Sequence, residues 1–178
     1  MRARHFFLWL AIAAAASIAA QRWWGKFDLP PQRPPEVAAT PITGRAKIID
    51  GDSLEVAGER IRLFGIDAPE ARQQCRDATG RDYACGRDAA RVLAALIGGR
   101  PVSCTPVTHD QFARDVATCA AKGRDLGEAM VRAGYALDYA RYSNGRYAAA
   151  ERDARAAKRG IWAGQFEEPE VWRRRENM

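Results

Sequence analysis

Five charged side chains could do chemistry together: Asp52 in Asp50-Gly51-Asp52-Ser53, Arg62, Asp67 and Glu70 in Asp67-Ala68-Pro69-Glu70, and Arg114 in Phe112-Ala113-Arg114. Three carboxylates and two guanidiniums are what hydrolysis of a phosphodiester assisted by a hard dication would use, and few other chemistries use that set. Such a reaction needs a nucleophilic water, neutralised charge on the five-coordinate phosphorus, and a phosphate held in line with the attacking oxygen. Asp52 and Asp67 lie fifteen residues apart, each at the end of an expected strand. Both can offer oxygens to one Ca²⁺, with the backbone carbonyl of Ala68 as a third ligand. Glu70, just past Pro69, is placed to take a proton from water, while Arg62 and Arg114 can grip phosphate oxygens with planar forks that lysine does not reproduce. Taken singly, each residue has an ordinary reading. Asp50-Gly51-Asp52 is then a turn, Arg62 an outward strand residue, Arg114 a solvated turn cation and Glu70 a loop carboxylate.

The elements that must position these residues are legible in outline. Period-two alternation predicts strands over Ala46–Ile49, Ser53–Val56 and Arg60–Phe64, a meander with a turn at Ala57-Gly58-Glu59. Asp88 to Ile97 sets Ala89, Val92, Leu93, Leu96 and Ile97 on one helical face and stops at Gly98-Gly99. Val102–Thr105 and Val116–Ala120 read as two more strands. Asp125 and Glu128 have capping-box spacing and open a short helix ending near Gly134, and a last helix runs from Tyr147 to Arg159. The expected fold class is β-rich α+β: a five-stranded OB-type β-barrel with three packed helices.

The chain has 178 residues, room for one domain with flanking segments, and its net charge of +6 suits a polyanionic partner such as nucleic acid. Residues 1–24 combine a positive start with an apolar run from Phe6 to Ala20, shorter than a comfortable membrane span, and read as an export signal, or as an anchor if it stays uncut. Residues 25–44 carry Pro30, Pro31, Pro34, Pro35 and Pro41 and read as an extended spacer. The domain then covers 45–165, and 166–178 is a C-terminal tail. The protein is expected to be exported, periplasmic or secreted, with a membrane tether if the signal is retained. Four cysteines suit an oxidising compartment. Of the three connectivities open to them, local geometry favours Cys75 with Cys85, bracketing a short polar loop, and Cys104 with Cys119 on adjacent strands. Zinc is the alternative, but no closely spaced cysteine pair exists and the histidines are His5 and His109 alone.

The segment from Ile49-Asp50-Gly51-Asp52-Ser53 to Arg62-Leu63-Phe64-Gly65-Ile66-Asp67-Ala68-Pro69-Glu70 resembles the paired signatures of the staphylococcal nuclease (thermonuclease) family. The likeness continues through Arg114, Leu126 to Ala136 and Ala156 to Trp162, covering about Arg45 to Trp162. It turns the balance from five ordinary residues to one site. The resemblance implies an OB barrel and Ca²⁺ bound by Asp52, Asp67 and the Ala68 carbonyl. It implies that Glu70 orients or deprotonates water and that Arg62 and Arg114 stabilise the transition state. It also implies cleavage of DNA and RNA with little sequence preference, leaving 5′-hydroxyl and 3′-phosphate ends, with no obligate protein partner. The chain departs from the family pattern at Phe112-Ala113-Arg114, where many members have Tyr-Gly-Arg. A phenol and a glycine suited to positive φ are lost there. Phe112, Tyr139 and Tyr142 could stack on bases at the cleft or pack the barrel rim. The rival from another class is a nucleic-acid-binding barrel that no longer turns over. It has little use for carboxylates that repel phosphate, so their retention favours catalysis.

Overall fold

Alternating apolar residues in Ser53-Leu54-Glu55-Val56 and Arg60-Ile61-Arg62-Leu63 give each segment one inward face and call for a tight connection between them. In the computed structural model, which describes residues 40–176 and 178, these segments are β2 (Ser53–Val56) and β3 (Glu59–Leu63). Their turn uses Ala57 at φ 54° and Gly58 at φ 89°, a left-handed pair that matches strand twist, and sets Ser53 opposite Arg62. Leu54, Val56, Ile61 and Leu63 are buried, so Arg62, out of phase with them, leaves the core.

β1 (Ile42–Ile48) pairs antiparallel with β2 and, through Ile42 to Arg45, with β7 (Pro101–His109). β7 pairs antiparallel with β8 (Asp115–Ala121), and β8 returns to β3 in parallel, with Arg62 opposite Val116. Five strands in the order β1-β2-β3-β8-β7 thus close the expected OB-type barrel. Outside it lie three short pairings: β4 (Ile66–Asp67) with β10 (Leu137–Asp138), β5 (Cys75–Arg76) with β6 (Asp82–Tyr83), and β9 (Arg124–Asp125) on β8.

α1 (Cys85–Ile97) buries Ala89, Leu93 and Ile97 against the barrel and stops where Gly98 turns left-handed. It begins three residues before the expected Asp88, since Cys85, bonded to Cys75, is already in its first turn. α2 (Leu126–Ala133) is capped by the Asp125 carboxylate, which accepts the Glu128 N–H, and ends at Gly134 as its sequence predicts. α3 (Ala140–Ser143) is a single turn, and α4 (Ala148–Ala156) fills the middle of the expected last helix. The core joins Leu54, Ile61, Leu63, Leu93, Val102 and Met130, each contributing roughly 1.5–3 kcal/mol on burial. A smaller cluster of Cys75, Cys85, Leu137 and Ile161, flanked by Trp162 and Phe166, supports the loop after Glu70.

Both disulfides form as the local geometry suggests, Cys75–Cys85 and Cys104–Cys119, the latter joining residues directly opposite on β7 and β8. Two segment boundaries differ from the sequence reading. Ile42 to Gly44, assigned to the spacer because Pro41 and Gly44 mask the alternation, are part of β1. The stretch read as a tail contains α5 (Pro169–Glu176), whose run of arginines shows no apolar stripe and whose one buried residue is Pro169. The export segment 1–24 and residues 25–39 of the spacer lie outside the described residues. Among the described residues no helix is long and apolar enough to cross a membrane.

Candidate active site

The turn before β2 is built from its own backbone. The N–H groups of Ile49 and Asp50 both donate to the Ser53 carbonyl, at 3.0 and 3.2 Å, and Asp50 Oδ1 accepts the Asp52 N–H at 3.0 Å. Gly51 sits here for space rather than for positive φ. A Cβ on it would lie 2.7 Å from the Cβ atoms of both Ala68 and Ala89, so the turn is pressed between the strand that carries Asp67 and the face of α1. Asp52 is buried beneath it, 3% exposed.

Arg62 joins the two aspartates. Its Nη1 and Nη2 meet Asp52 Oδ1 and Oδ2 at 3.1 and 3.0 Å, and Nη2 also reaches Asp67 Oδ1 at 3.0 Å. The Ala68 N–H closes the group by donating to Asp52 Oδ2 at 3.0 Å, which sets the Ala68 backbone against the same carboxylate. Burial works against charge on Arg62, and the Asp52 and Asp67 carboxylates outweigh it. Burial pushes Asp67 above the ordinary carboxylate range despite the guanidiniums beside it. Asp50, buried next to the Asp52 charge, is pushed up to about 6.

Glu70 enters through a residue of α5. Arg173 Nη1 donates to Asp67 Oδ1 and to Glu70 Oε1, both at 2.7 Å, which raises the basicity of its guanidinium although burial opposes charge there. The Glu70 backbone is held independently. Its N–H donates to Oε1 of fully buried Gln73 at 3.1 Å, and its carbonyl lies so close to Gly86 in α1 that any Cβ there would collide with it. Gln73 Nε2 in turn donates to the Glu167 carbonyl at 2.7 Å.

Arg114 stands at the turn before β8, just ahead of Asp115, which pairs with Ile61, and it lines the same hollow as Arg62. Asp110 builds this turn. Its Oδ1 accepts the N–H groups of Phe112 and Arg114 at 2.8 and 3.0 Å, and its Oδ2 accepts Arg114 Nε at 2.7 Å. Ala113 still adopts φ 57°, so the left-handed turn survives the loss of glycine. Phe112 is 71% exposed, with the Arg114 guanidinium 5.6 Å from its ring centre. Tyr139 is half-buried and Tyr142 exposed, their ring centres 4.7 Å apart and edge to face. Arg62, Arg114, Phe112, Tyr139, Tyr142 and Arg173 line one cleft, and Glu70 shares the adjoining hollow with Arg62, Arg114 and Arg173.

The fold therefore brings every expected catalytic residue and aromatic to one face. Three carboxylates, Asp52, Asp67 and Glu70, meet the guanidiniums of Arg62 and Arg173, with Asp50 in the neighbouring turn, and burial leaves Asp50 and Asp67 reluctant to ionise. Hard oxygen donors with excess negative charge fit a divalent cation. Among the described residues no three acidic, cysteine or histidine side chains converge on one point. A cation here would rest on Asp52 and Asp67 together with a backbone oxygen such as that of Ala68. Residues 60–164, more than half of the chain, match the model of the family described as staphylococcal nuclease homologue. The chain belongs to this family.

Relatives within the staphylococcal nuclease family bear varied names. A Rhizobium meliloti protein named "Succinoglycan biosynthesis protein ExoI" is 42% identical over 132 residues, covering 73% of this chain and 69% of its own. An Escherichia coli O157:H7 protein named "Uncharacterized endonuclease" is 33% identical over 147 residues, 78% of this chain and 90% of its own. The rice protein "Probable staphylococcal-like nuclease CAN3" is 36% identical over 132 residues, 72% of this chain and 32% of its own. Three residues that shape this family member's site escape a sequence reading. Arg173 sits in a run of arginines that reads as solvated tail, and Gln73 is one polar residue among many in a loop. Asp110 reads as an ordinary turn residue, since aspartates commonly accept the backbone N–H two residues on, and its hold on the Arg114 side chain shows only once the turn is folded.

Proposed function

We propose that this protein is an exported, Ca²⁺-dependent nuclease that hydrolyses phosphodiester bonds of DNA and RNA and leaves 3′-phosphate ends. The observation that carries the reading is the Arg62 fork spanning buried Asp52 and Asp67 at the floor of a cleft shared with Glu70 and Arg114. A guanidinium fixed between two carboxylates points its remaining edge at substrate without freedom to wander. Asp52, Asp67 and the Ala68 carbonyl would hold Ca²⁺, which supplies charge neutralisation for the scissile phosphate. Glu70 takes a proton from a water whose oxygen attacks phosphorus. The bond from phosphorus to the 5′ oxygen breaks, and that oxygen leaves as a hydroxyl once protonated. Arg62 and Arg114 neutralise the equatorial oxygens while Phe112, Tyr139 and Tyr142 stack on neighbouring bases. Export is supported by the two disulfides, which persist in oxidising compartments.

The test is digestion of plasmid and of single-stranded RNA by purified protein with Ca²⁺, with a chelator, and with Glu70→Gln. Cleavage that needs Ca²⁺ and falls by about 10²- to 10⁴-fold on removing the base is expected, with product ends that accept label only after phosphatase treatment at the 3′ side. Binding without cleavage by the unaltered protein would replace the enzyme with a nucleic-acid-binding barrel.

A further inference from the structure

Arg173 does something that no residue of the barrel does: one of its nitrogens, Nη1, reaches both Asp67 and Glu70, at 2.7 Å each. Arg62 meets the same Asp67 oxygen, but it belongs to β3 and is fixed by the barrel. Arg173 belongs to α5, a helix of eight residues that buries little of itself. Pro169 is the one buried residue of α5, and the pairs made by Arg174 and Arg175 stay within the segment, to Glu170, Glu167 and Glu176. What anchors the segment lies upstream. Arg76 and Gln165 exchange backbone hydrogen bonds at 2.8 and 2.9 Å, and Gln73 grips the Glu167 carbonyl. The segment therefore has a tied base at Gln165–Glu167 and an arm that meets the site through the Arg173 guanidinium and through Glu170 beside Tyr139.

Asp67 Oδ1 already takes both Arg62 and Arg173, and a dication on the same carboxylate adds a third cationic group at contact distance. Arg62 is also held by Asp52, so Arg173 is the one that yields. We propose that α5 is a cation-operated strap: Arg173 neutralises Asp67 and Glu70 until a divalent cation displaces it, and the strap then lifts, freeing Glu70 for its base role. This rests on the metal reading of Asp52 and Asp67 given above. A strap closed nine-tenths of the time would weaken apparent cation affinity by about tenfold, and its removal would restore that factor.

The test compares the unaltered chain with Arg173→Ala and Arg173→Gln, without nucleic acid. Ca²⁺ affinity is measured by calorimetry, and amide hydrogen exchange over residues 169–176 is followed with and without Ca²⁺. Both variants are expected to bind Ca²⁺ about tenfold tighter, and Ca²⁺ is expected to speed exchange in α5 of the unaltered chain. Equal or weaker binding by both variants, or α5 protection that Ca²⁺ does not change, would overturn the strap while leaving the metal site intact. Absence of Ca²⁺ binding in all three chains would overturn the metal reading, and the strap with it.

Discussion

Arg62 is the residue on which charge balance at the site turns. Its side chain is 17% exposed and its partners 5%, so its loss strands buried Asp52 and leaves Asp67 to Arg173 alone. Removing one member of a buried pair costs about 3–5 kcal/mol. Arg62→Ala should therefore melt far lower in chelator, with Ca²⁺ recovering part of the loss, and calorimetric scans in both buffers check this. Ala113 presents the opposite case, a residue held against its preference. An alanine in the left-handed region costs roughly 1–2 kcal/mol, and glycine also loosens the unfolded chain. Ala113→Gly should accordingly raise stability by about 1 kcal/mol or less in urea titration, with Arg114 kept in place by Asp110. At this scale the sequence was informative wherever chemistry required a residue type. Asp52, Arg62, Asp67 and Glu70 stand out because the two blocks that carry them resemble the family's paired signatures. Arg173 does not, because an arginine's partner depends on where the helix beneath it docks.

Turns and loops decide how those residues are aimed. For Asp110, burial favours the neutral form, but hydrogen bonds from Arg114 and Phe112 outweigh it and hold the carboxyl below its ordinary value of 3.8. A folded-state value below the unfolded one means that this stabilisation is complete above about pH 4 and fades as acid protonates the folded group. Asp110→Asn should thus be less stable than the unaltered protein at pH 7, and the gap should close below pH 4, as urea titrations across that range would show. The Cys75–Cys85 bridge acts on the loop bearing Glu70 and on the base of α5 together. Closing a loop of about eleven residues is worth roughly 3 kcal/mol in the chain-entropy model. Replacing both cysteines with alanine should lower stability by about that amount and reduce turnover, and unchanged melting and turnover would reject the role. Strands and the longer helices were legible from alternation and capping. α5 was not, because it has no apolar face and exists through its docking.

For the whole molecule, a charge of +6 suits a polyanionic partner, and the arginines that line the cleft should give its binding a salt dependence. In a Glu70→Gln background, which blocks cleavage, Arg114→Ala should flatten the log–log salt dependence of single-stranded oligonucleotide binding by about 0.7. Fluorescence anisotropy over a salt series reads that slope. Barrel closure was read from the order of the elements and not from any one of them, since nothing in either strand announces that β3 will lie parallel to β8. Arg62 belongs to one side of that seam and Arg114 stands at the entrance to the other. The gap between the two guanidiniums is consequently set where the ring meets itself. A chain whose hairpins have formed but whose ends have not met owns every functional side chain and has no mouth for a strand to enter. Competence arrives with that final join.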